Sequence, residues 1–229
     1  YLKVSKAFEK FSPDVVHIVT EGPLGLMALQ VAKSKKIAVS SGFHSPFQDF
    51  SRFFDLAFLV KPIQHYLKWF HNSTDVTCVP SQYTEQALRG FGVTCPLVVV
   101  GRGVDTVRFS PKHRSQRLRQ QWGVDADTRV MLYVGRLSPE KEVDVLIKSF
   151  HALQVQQGVN IKFVIVGDGP DRIRLSKMTT SKDVIFMGSL GGHELATAYA
   201  SADVFTFASQ ADTFGNVVLE AIASGLPVI

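Results

Sequence analysis

Two cysteines in 229 residues, Cys78 inside an apolar run and Cys95 ahead of a proline, are too few and too far apart for a disulfide framework, a Cys-x-x-Cys redox pair or a zinc site. Both are expected to be buried structural thiols. No run approaches the roughly 18 apolar residues that a membrane span needs, and no leader opens the chain, which gives a cytoplasmic reading. A Walker loop and a complete Gly-x-Gly-x-x-Gly are also missing, so neither a kinase nor a dinucleotide enzyme has specific support. No face interleaves Lys and Arg with aromatics, and nucleic acid is therefore not an expected partner. Nor does any cluster of His, Cys, Asp and Glu have metal-ligand spacing; no metal and no cofactor is expected. What the composition offers is an excess of Lys and Arg over Asp and Glu, 25 against 20. The net charge of +5 favours an anionic partner such as a phosphorylated substrate or a lipid surface.

Strand and helix patterns alternate from end to end. The strands are expected at 14–20, 37–41, 76–80, 97–100, 129–134, 161–166, 184–187 and 203–208. Helical patterns lie between them at 24–35, 48–71 with a break near Pro62, 83–90, 142–157, 170–178 and 193–201. Strands that are apolar throughout belong to parallel sheets covered on both faces, so the fold class is α/β with two doubly wound, Rossmann-like units. The polar, basic sequence at 110–119 reads as a break between them, giving a first domain at 1–105 and a second at 106–229. The chain starts on a helical pattern with no strand before it and stops on Leu226-Pro-Val-Ile229, a strand with no helix after it. Both units are therefore expected to be incomplete parts of a longer protein.

Three turns carry chemistry. Gly135-Arg136-Leu-Ser-Pro-Glu-Lys141 ends a strand where a guanidinium and an ammonium can converge on a diphosphate; a solvated loop is the alternative. Gly167-Asp-Gly-Pro170 is a second strand-to-helix turn, common in α/β proteins. The third, Ser209 to Glu220, carries Asp212 in its loop and opens a helix that Gly225 and Pro227 end. The free amides of Phe214, Gly215 and Asn216 form a helix N-terminus that attracts hydroxyl and phosphate oxygens. Glu220 lies one turn further on the same face, so both carboxylates can address one cleft. Alternatively Asp212 only caps the helix and Glu220 pairs with a Lys or Arg. The aromatic stretch from Phe47 to Phe70 suits a membrane or lipid-acceptor surface in one reading. In the other, which Asp55 and Pro62 favour by interrupting an amphipathic face, it is a core helix.

Taken in order, Gly135-Arg-Leu-x-x-Glu-Lys141, Val166-Gly-Asp-Gly169, Val184-x-Phe-x-Gly188 and Asp212-x-Phe-Gly-x-x-x-Leu-Glu220-Ala-x-Ala-x-Gly225-x-Pro-Val resemble the retaining glycosyltransferases of family 4. These are the group 1 glycosyltransferases with the GT-B fold, two Rossmann-like domains facing a cleft. Upstream, Thr20-Glu-Gly-Pro-Leu-Gly25, Ser41-Gly-Phe-His44 and Val100-Gly-Arg-Gly-Val-Asp105 resemble the branch of GDP-mannose-dependent α-mannosyltransferases that act on lipid-linked acceptors. The resemblance implies a nucleotide-sugar donor, a lipid-linked or saccharide acceptor, and transfer with retention without metal; the charge and the aromatic stretch add peripheral contact with the inner face of a membrane as one expectation. It assigns Gly135, Arg136 and Lys141 to the donor diphosphate, Glu220 to the ribose, and the backbone around Met187 to the base. Asp212 and the amides of Phe214, Gly215 and Asn216 would hold the donor sugar, and His44 would sit near the anomeric carbon and the acceptor. Asp212 departs from the commoner Glu. The family's amino-terminal glycine-rich loop falls outside this sequence, so the 229 residues alone are expected to be inactive. A non-catalytic nucleotide-sugar-binding module and a GT-B sugar-nucleotide epimerase are the competing readings.

Overall fold

The computed structural model describes residues 1–43, 60–156, 160–209 and 215–229. They fall into two compact units, Tyr1–Arg102 and Gly103–Ile229. Among the described residues no helix is long and apolar enough to cross a membrane.

The first unit holds four parallel strands in chain order, β1 (Val15–Ile18), β2 (Ala38–Gly42), β3 (Val76–Val79) and β4 (Leu97–Val99). Helix α1 (Leu2–Phe11) precedes β1, and α2 (Pro23–Ser34), α3 (Val60–Asn72) and α4 (Gln82–Gly90) lie in the connections between successive strands. Because the order is sequential, the described part of this sheet contains no reversal of winding. Leu29 and Ala32 of α2, Ile18, Val39 and Phe70 form one core cluster. Ser81 caps α4 by accepting from Thr84 N–H at 3.1 Å. The helix α3 is continuous through Pro62, so the break predicted there is absent from Val60 to Asn72. Its inward face carries Leu67 and Phe70, both buried, while Trp69 is half exposed. Of the aromatics in this part of the stretch Phe70 is core, Tyr66 partly buried and Trp69 half exposed; Phe50, Phe53, Phe54 and Phe58 lie outside the described residues. Cys95 is buried, with its sulfur 3.3 Å from Thr77 Oγ1, whereas Cys78 is only partly buried, contrary to expectation.

The second unit is a parallel sheet in the order β7-β6-β5-β8. Its strands are β5 (Arg129–Val134), β6 (Ile161–Val166), β7 (Val184–Gly188) and β8 (Val204–Phe205). Its helices are α5 (Gln116–Gln121), α6 (Val143–Gln154), α7 (Arg172–Lys177), α8 (Gly192–Ser201) and α9 (Asn216–Ala223). The period-2 geometry of a strand decides which residues meet which layer. Val130, Leu132 and Val134 face a core with Ala196, Tyr199 and Ala221, whereas Met131 and Tyr133 face Val143, Ile147 and Phe150 of α6. Both faces of β5 are therefore dry, which is why its sequence has no polar alternation. The ladder of β8 is two residues long, shorter than the predicted 203–208 strand. Beyond it, Thr206 N–H still donates to Leu132 O at 2.8 Å. The terminal Leu226–Ile229 stretch, predicted as a strand, runs parallel to β8 and its continuation: Phe205 N–H donates to Pro227 O at 2.9 Å, Ile229 N–H to Phe205 O at 3.0 Å and Phe207 N–H to Ile229 O at 2.8 Å.

The 110–119 sequence, just past the boundary between the units, is built into the second unit. Ser115 caps α5 through Leu118 N–H at 3.2 Å. Arg114 donates to Ala202 O and Asp203 Oδ1, both at 2.8 Å, and the buried Arg119 donates to Ser201 O and Asp203 Oδ2 at 2.9 Å. Asp203 also accepts from Val130 N–H at 2.9 Å. The segment is a strap tied by its arginines to the foot of β8. Burial by itself pushes the Asp203 carboxyl up, but the hydrogen bonds from Arg119, Arg114 and Val130 outweigh it and hold the group below the usual carboxylate range. A depressed carboxylate contributes stability above its unfolded pKa of about 3.9, and that contribution fades as pH falls through the folded value. We expect Asp203→Ala to cost about 3–5 kcal/mol at pH 7, since it strands the Arg119 guanidinium in a dry site. The penalty should begin to shrink below about pH 4, where the unfolded chain's carboxyl is protonated, and fade as pH falls through the lower folded value. Urea unfolding across that pH range checks both; a pH-independent penalty contradicts the linkage.

Candidate functional site

The winding of the second sheet reverses at β5: β6 and β7 are added on one side, and the chain then returns to place β8 on the other. In open α/β sheets ligands bind outside the carboxyl ends of strands at such a reversal. The two segments that leave those ends are the turn after β5 and the loop after β8, which are two of the three turns that carry chemistry in the sequence.

The turn after β5 is held by backbone. Gly135 N–H donates to Val166 O at 3.0 Å, Leu137 N–H to Asp168 O at 3.0 Å, and Asp171 N–H to Leu137 O at 3.0 Å. Leu137 is fully buried, and Tyr133 Oη donates to Arg136 O at 3.0 Å. Arg136 is thus fixed in the main chain while its side chain is exposed, with no hydrogen-bond or ion-pair partner among the described residues. This assigns a purpose to Gly167-Asp-Gly169 that sequence reasoning did not find. A Cβ on Gly167 would lie 1.8 Å from Gly135 O, and one on Gly169 would lie 2.2 Å from Leu137 O. The two glycine turns cross backbone to backbone, and the second is the floor under the first.

Past Leu137, a 3-10 turn at Pro139–Lys141 leads into α6. Ser138 Oγ donates to Glu140 Oε1 at 2.6 Å, and Lys141 Nζ donates to Ser209 Oγ at 3.3 Å. That last contact brings the β5 turn to the loop after β8, immediately before residues 210–214. On the far side of those residues, Gly215 caps α9 in the left-handed region, φ 63°, with no side-chain cap. The first amides of α9 have no acceptor inside the helix and keep their attraction for oxygen ligands.

Glu220, one turn into α9, is half buried. Its Oε2 accepts from Tyr199 Oη at 2.9 Å. Burial pushes the Glu220 carboxyl above its usual range, and the Tyr199 hydrogen bond and the charge of Arg108 oppose this without cancelling it. The Tyr199 phenol is itself driven far upward, by burial first and by the Glu220 charge second, so it remains a neutral donor. The partner of Glu220 is therefore a phenol and not the Lys or Arg of the alternative reading.

A strand-reversal site of two cationic side chains, open helix amides and a scaffolded carboxylate suits a nucleoside diphosphate carrying a sugar. The family model of glycosyl transferases, group 1, matches residues 114–229, and that of glycosyltransferase family 4 matches residues 1–108. The chain belongs to the group 1 glycosyltransferases. Similar curated proteins include the sulfoquinovosyl transferase of Arabidopsis thaliana, 32% identical over 99% of this chain and 44% of that protein. A GDP-mannose-dependent α-mannosyltransferase of Mycobacterium tuberculosis is 36% identical over 99% of this chain and 57% of its own length. The chain thus spans about half the length of the curated relatives it matches. Among solved structures, sucrose-phosphate synthase from Thermosynechococcus elongatus superposes with TM-score 0.79 at 21% identity, over 99% of this chain and 59% of that one. Anabaena HepE, solved with UDP and glucose, gives 0.77 at 23%, over 98% and 61%. At these identities the likeness is one of fold.

In this group 1 glycosyltransferase, Gly135, Arg136 and Lys141 share the turn after β5, and Gly215, Asn216 and Glu220 share α9 and its cap. Met187 lies on β7, half buried against the core that α8 and α9 complete, and the neighbouring Gly188 O accepts from Gly167 N–H at 2.8 Å. His44, Asp212 and Phe214 lie outside the described residues. Among the described residues no group of three His, Cys, Asp or Glu side chains could hold a metal ion. Sequence reasoning missed Tyr199, Ser209 and Asp168. The available signal for Tyr199 was its place in Ala196-Thr-Ala-Tyr-Ala-Ser201, where one large polar ring among small residues marks a tightly approached face.

Proposed function

We propose that the intact protein is a retaining hexosyltransferase that moves mannose from GDP-mannose to a lipid-linked or saccharide acceptor. The observation that carries this reading is the Lys141–Ser209 contact, which joins the turn after β5 to the loop after β8 beside α9. Motif resemblance supports the donor and the stereochemistry, as do the names of the mannosyltransferase relatives. Bond cleavage at the anomeric carbon gives a transition state of oxocarbenium character and builds negative charge on the departing diphosphate. Arg136 and Lys141 stabilise that charge. Glu220 accepts from the ribose hydroxyls, the backbone at Met187 borders the base, and Asp212 with the amides of Phe214, Gly215 and Asn216 holds the sugar. The departing phosphate takes the acceptor proton on the same face, so neither a covalent enzyme intermediate nor a metal or cofactor is required. The +5 charge supports work at the cytoplasmic face of an anionic membrane.

The test is incubation of the full-length protein with GDP-mannose and UDP-glucose, following nucleotide release and the anomeric configuration of the product by NMR. Release with an α-linked product is expected from GDP-mannose. Tight binding without turnover would instead describe a nucleotide-sugar-binding module, and an epimerised free sugar nucleotide an epimerase. His44→Ala is expected to leave calorimetric donor affinity within about twofold and to cut transfer at least about 100-fold, because a group beside the reacting carbon acts on the transition state. A large loss of donor affinity in a folded variant would remove His44 from the acceptor side.

A further inference from the structure

Tyr199 is fully buried, and its ring is held from two sides. Phe109 meets it edge-on at 5.6 Å between centroids and Phe205 of β8 lies tilted at 5.8 Å. The small Ala196, Ala198 and Ala200 of α8 allow these rings to close around it. A tyrosine clamped in this way has one polar atom, and its place is set by the core and not by rotamer choice. That atom meets Glu220 Oε2, which leaves Oε1 with no hydrogen bond among the described residues. Glu220 is on α9, and the phenol ties it to α8.

We propose that Tyr199 is a positioning residue for nucleotide recognition: by occupying one carboxylate oxygen of Glu220 it aims the other at the ribose diol. The proposal rests on the assignment of Glu220 to the ribose. The charged and titratable groups around the pair are few. Arg108 acts on Glu220 from the first loop of the second unit, itself 3.9 Å from Asp105, and Tyr133 of β5 acts on Tyr199. Ribose hydroxyls donate more strongly to a carboxylate than to a carboxylic acid, so nucleotide affinity should be full above the Glu220 pKa and fall as pH drops through it. The Tyr199 hydrogen bond lowers that pKa. Removing the hydroxyl must therefore move the affinity midpoint to higher pH, an effect that loss of packing alone does not produce.

Calorimetry with GDP and UDP against pH, on the full-length protein and on Tyr199→Phe and Glu220→Gln, tests this. The diphosphate's own titration is common to all three proteins and cancels in the comparison. For Tyr199→Phe an affinity loss of about fivefold is expected well above the midpoint, the size of one hydrogen bond, together with a midpoint displaced upward. For Glu220→Gln the enzyme's own contribution to the profile should vanish. If Glu220→Gln binds both nucleotides like wild type over the whole range, the ribose assignment itself falls. If Glu220→Gln weakens binding while Tyr199→Phe keeps the wild-type midpoint, only the positioning role falls. A ring-fluorinated tyrosine at 199, a stronger donor of the same shape, should displace the midpoint downward; should Tyr199→Phe not fold, an unmoved midpoint in the fluorinated protein overturns the positioning role instead.

Discussion

If the proposed function holds, Arg136→Ala and Lys141→Ala, made in the full-length protein, are each expected to lower transfer by about 3 kcal/mol, roughly 100-fold in kcat/KM, since each would remove a charge-assisted contact to developing negative charge. The two arrive at the site differently. Arg136 sits on a main chain pinned by Leu137 and by Tyr133 Oη, with its side chain exposed. Lys141 leaves the following 3-10 turn and also holds Ser209. The lysine change should therefore raise KM as well as lower kcat, because it loosens the loop after β8 in addition to removing a charge. The arginine change should fall mainly on kcat. Two cations that share one diphosphate are not independent, and the double variant should cost clearly less than the sum. Single-turnover and steady-state kinetics decide it, and full additivity would break the shared-diphosphate account.

Gly167→Ala is expected to be the most damaging single methyl that can be added to the second unit. The new Cβ would stand 1.8 Å from Gly135 O, and the backbone there has φ +137°, which L side chains rarely adopt. A clash with backbone has no rotamer to relieve it, so the carboxyl ends of β5 and β6 would have to part. That would release Gly135 N–H from Val166 O and Gly167 N–H from Gly188 O. Strain of about 1–3 kcal/mol and two hydrogen bonds of about 1 kcal/mol each give a cost of about 3–5 kcal/mol. Gly191→Ala is the control, since nothing lies within 4 Å of a Cβ there and the backbone is extended. It should change stability by about 0.5 kcal/mol or less, as exposed substitutions generally do. Equal urea midpoints for the two variants would refute the crossed-turn description.

The elements legible in the sequence are those whose environment is uniform along their length. Arg129–Val134 and Ile161–Val166 match their predicted limits because dry layers cover both faces. Where the environment changes from residue to residue, composition misleads. Arg114, Ser115 and Arg119 read only as part of a polar, basic break between units, yet their partners are Ser201, Ala202 and Asp203, more than 80 positions away, and a single sequence carries no mark of such a pairing. Glu220 shows the same limit. Its burial among apolar neighbours is legible and implies a hydrogen-bonding partner, but local spacing suggests a cation where the fold supplies a phenol from α8. The turns at Gly135 and Gly167 were each recognisable, while their crossing depends on β5 and β6 being neighbours.

The strap that binds Arg114 and Arg119 to Asp203 also bears on the order in which the chain assembles. As synthesis proceeds, β5, β6 and β7 emerge as one contiguous block with short connections, and they can pair as soon as they are made. The two arginines emerge earlier still, yet their carboxylate lies at the foot of the last strand of the sheet. They must stay hydrated until some 85 further residues have followed. Only then can β8 dock beside β5, because only then is the desolvation of Arg119 compensated. Lys141 and Ser209 meet as a result of that same docking. The proposed donor site is thus built at the end of assembly, and a nascent chain stalled before Asp203 would carry a packed three-stranded block without it.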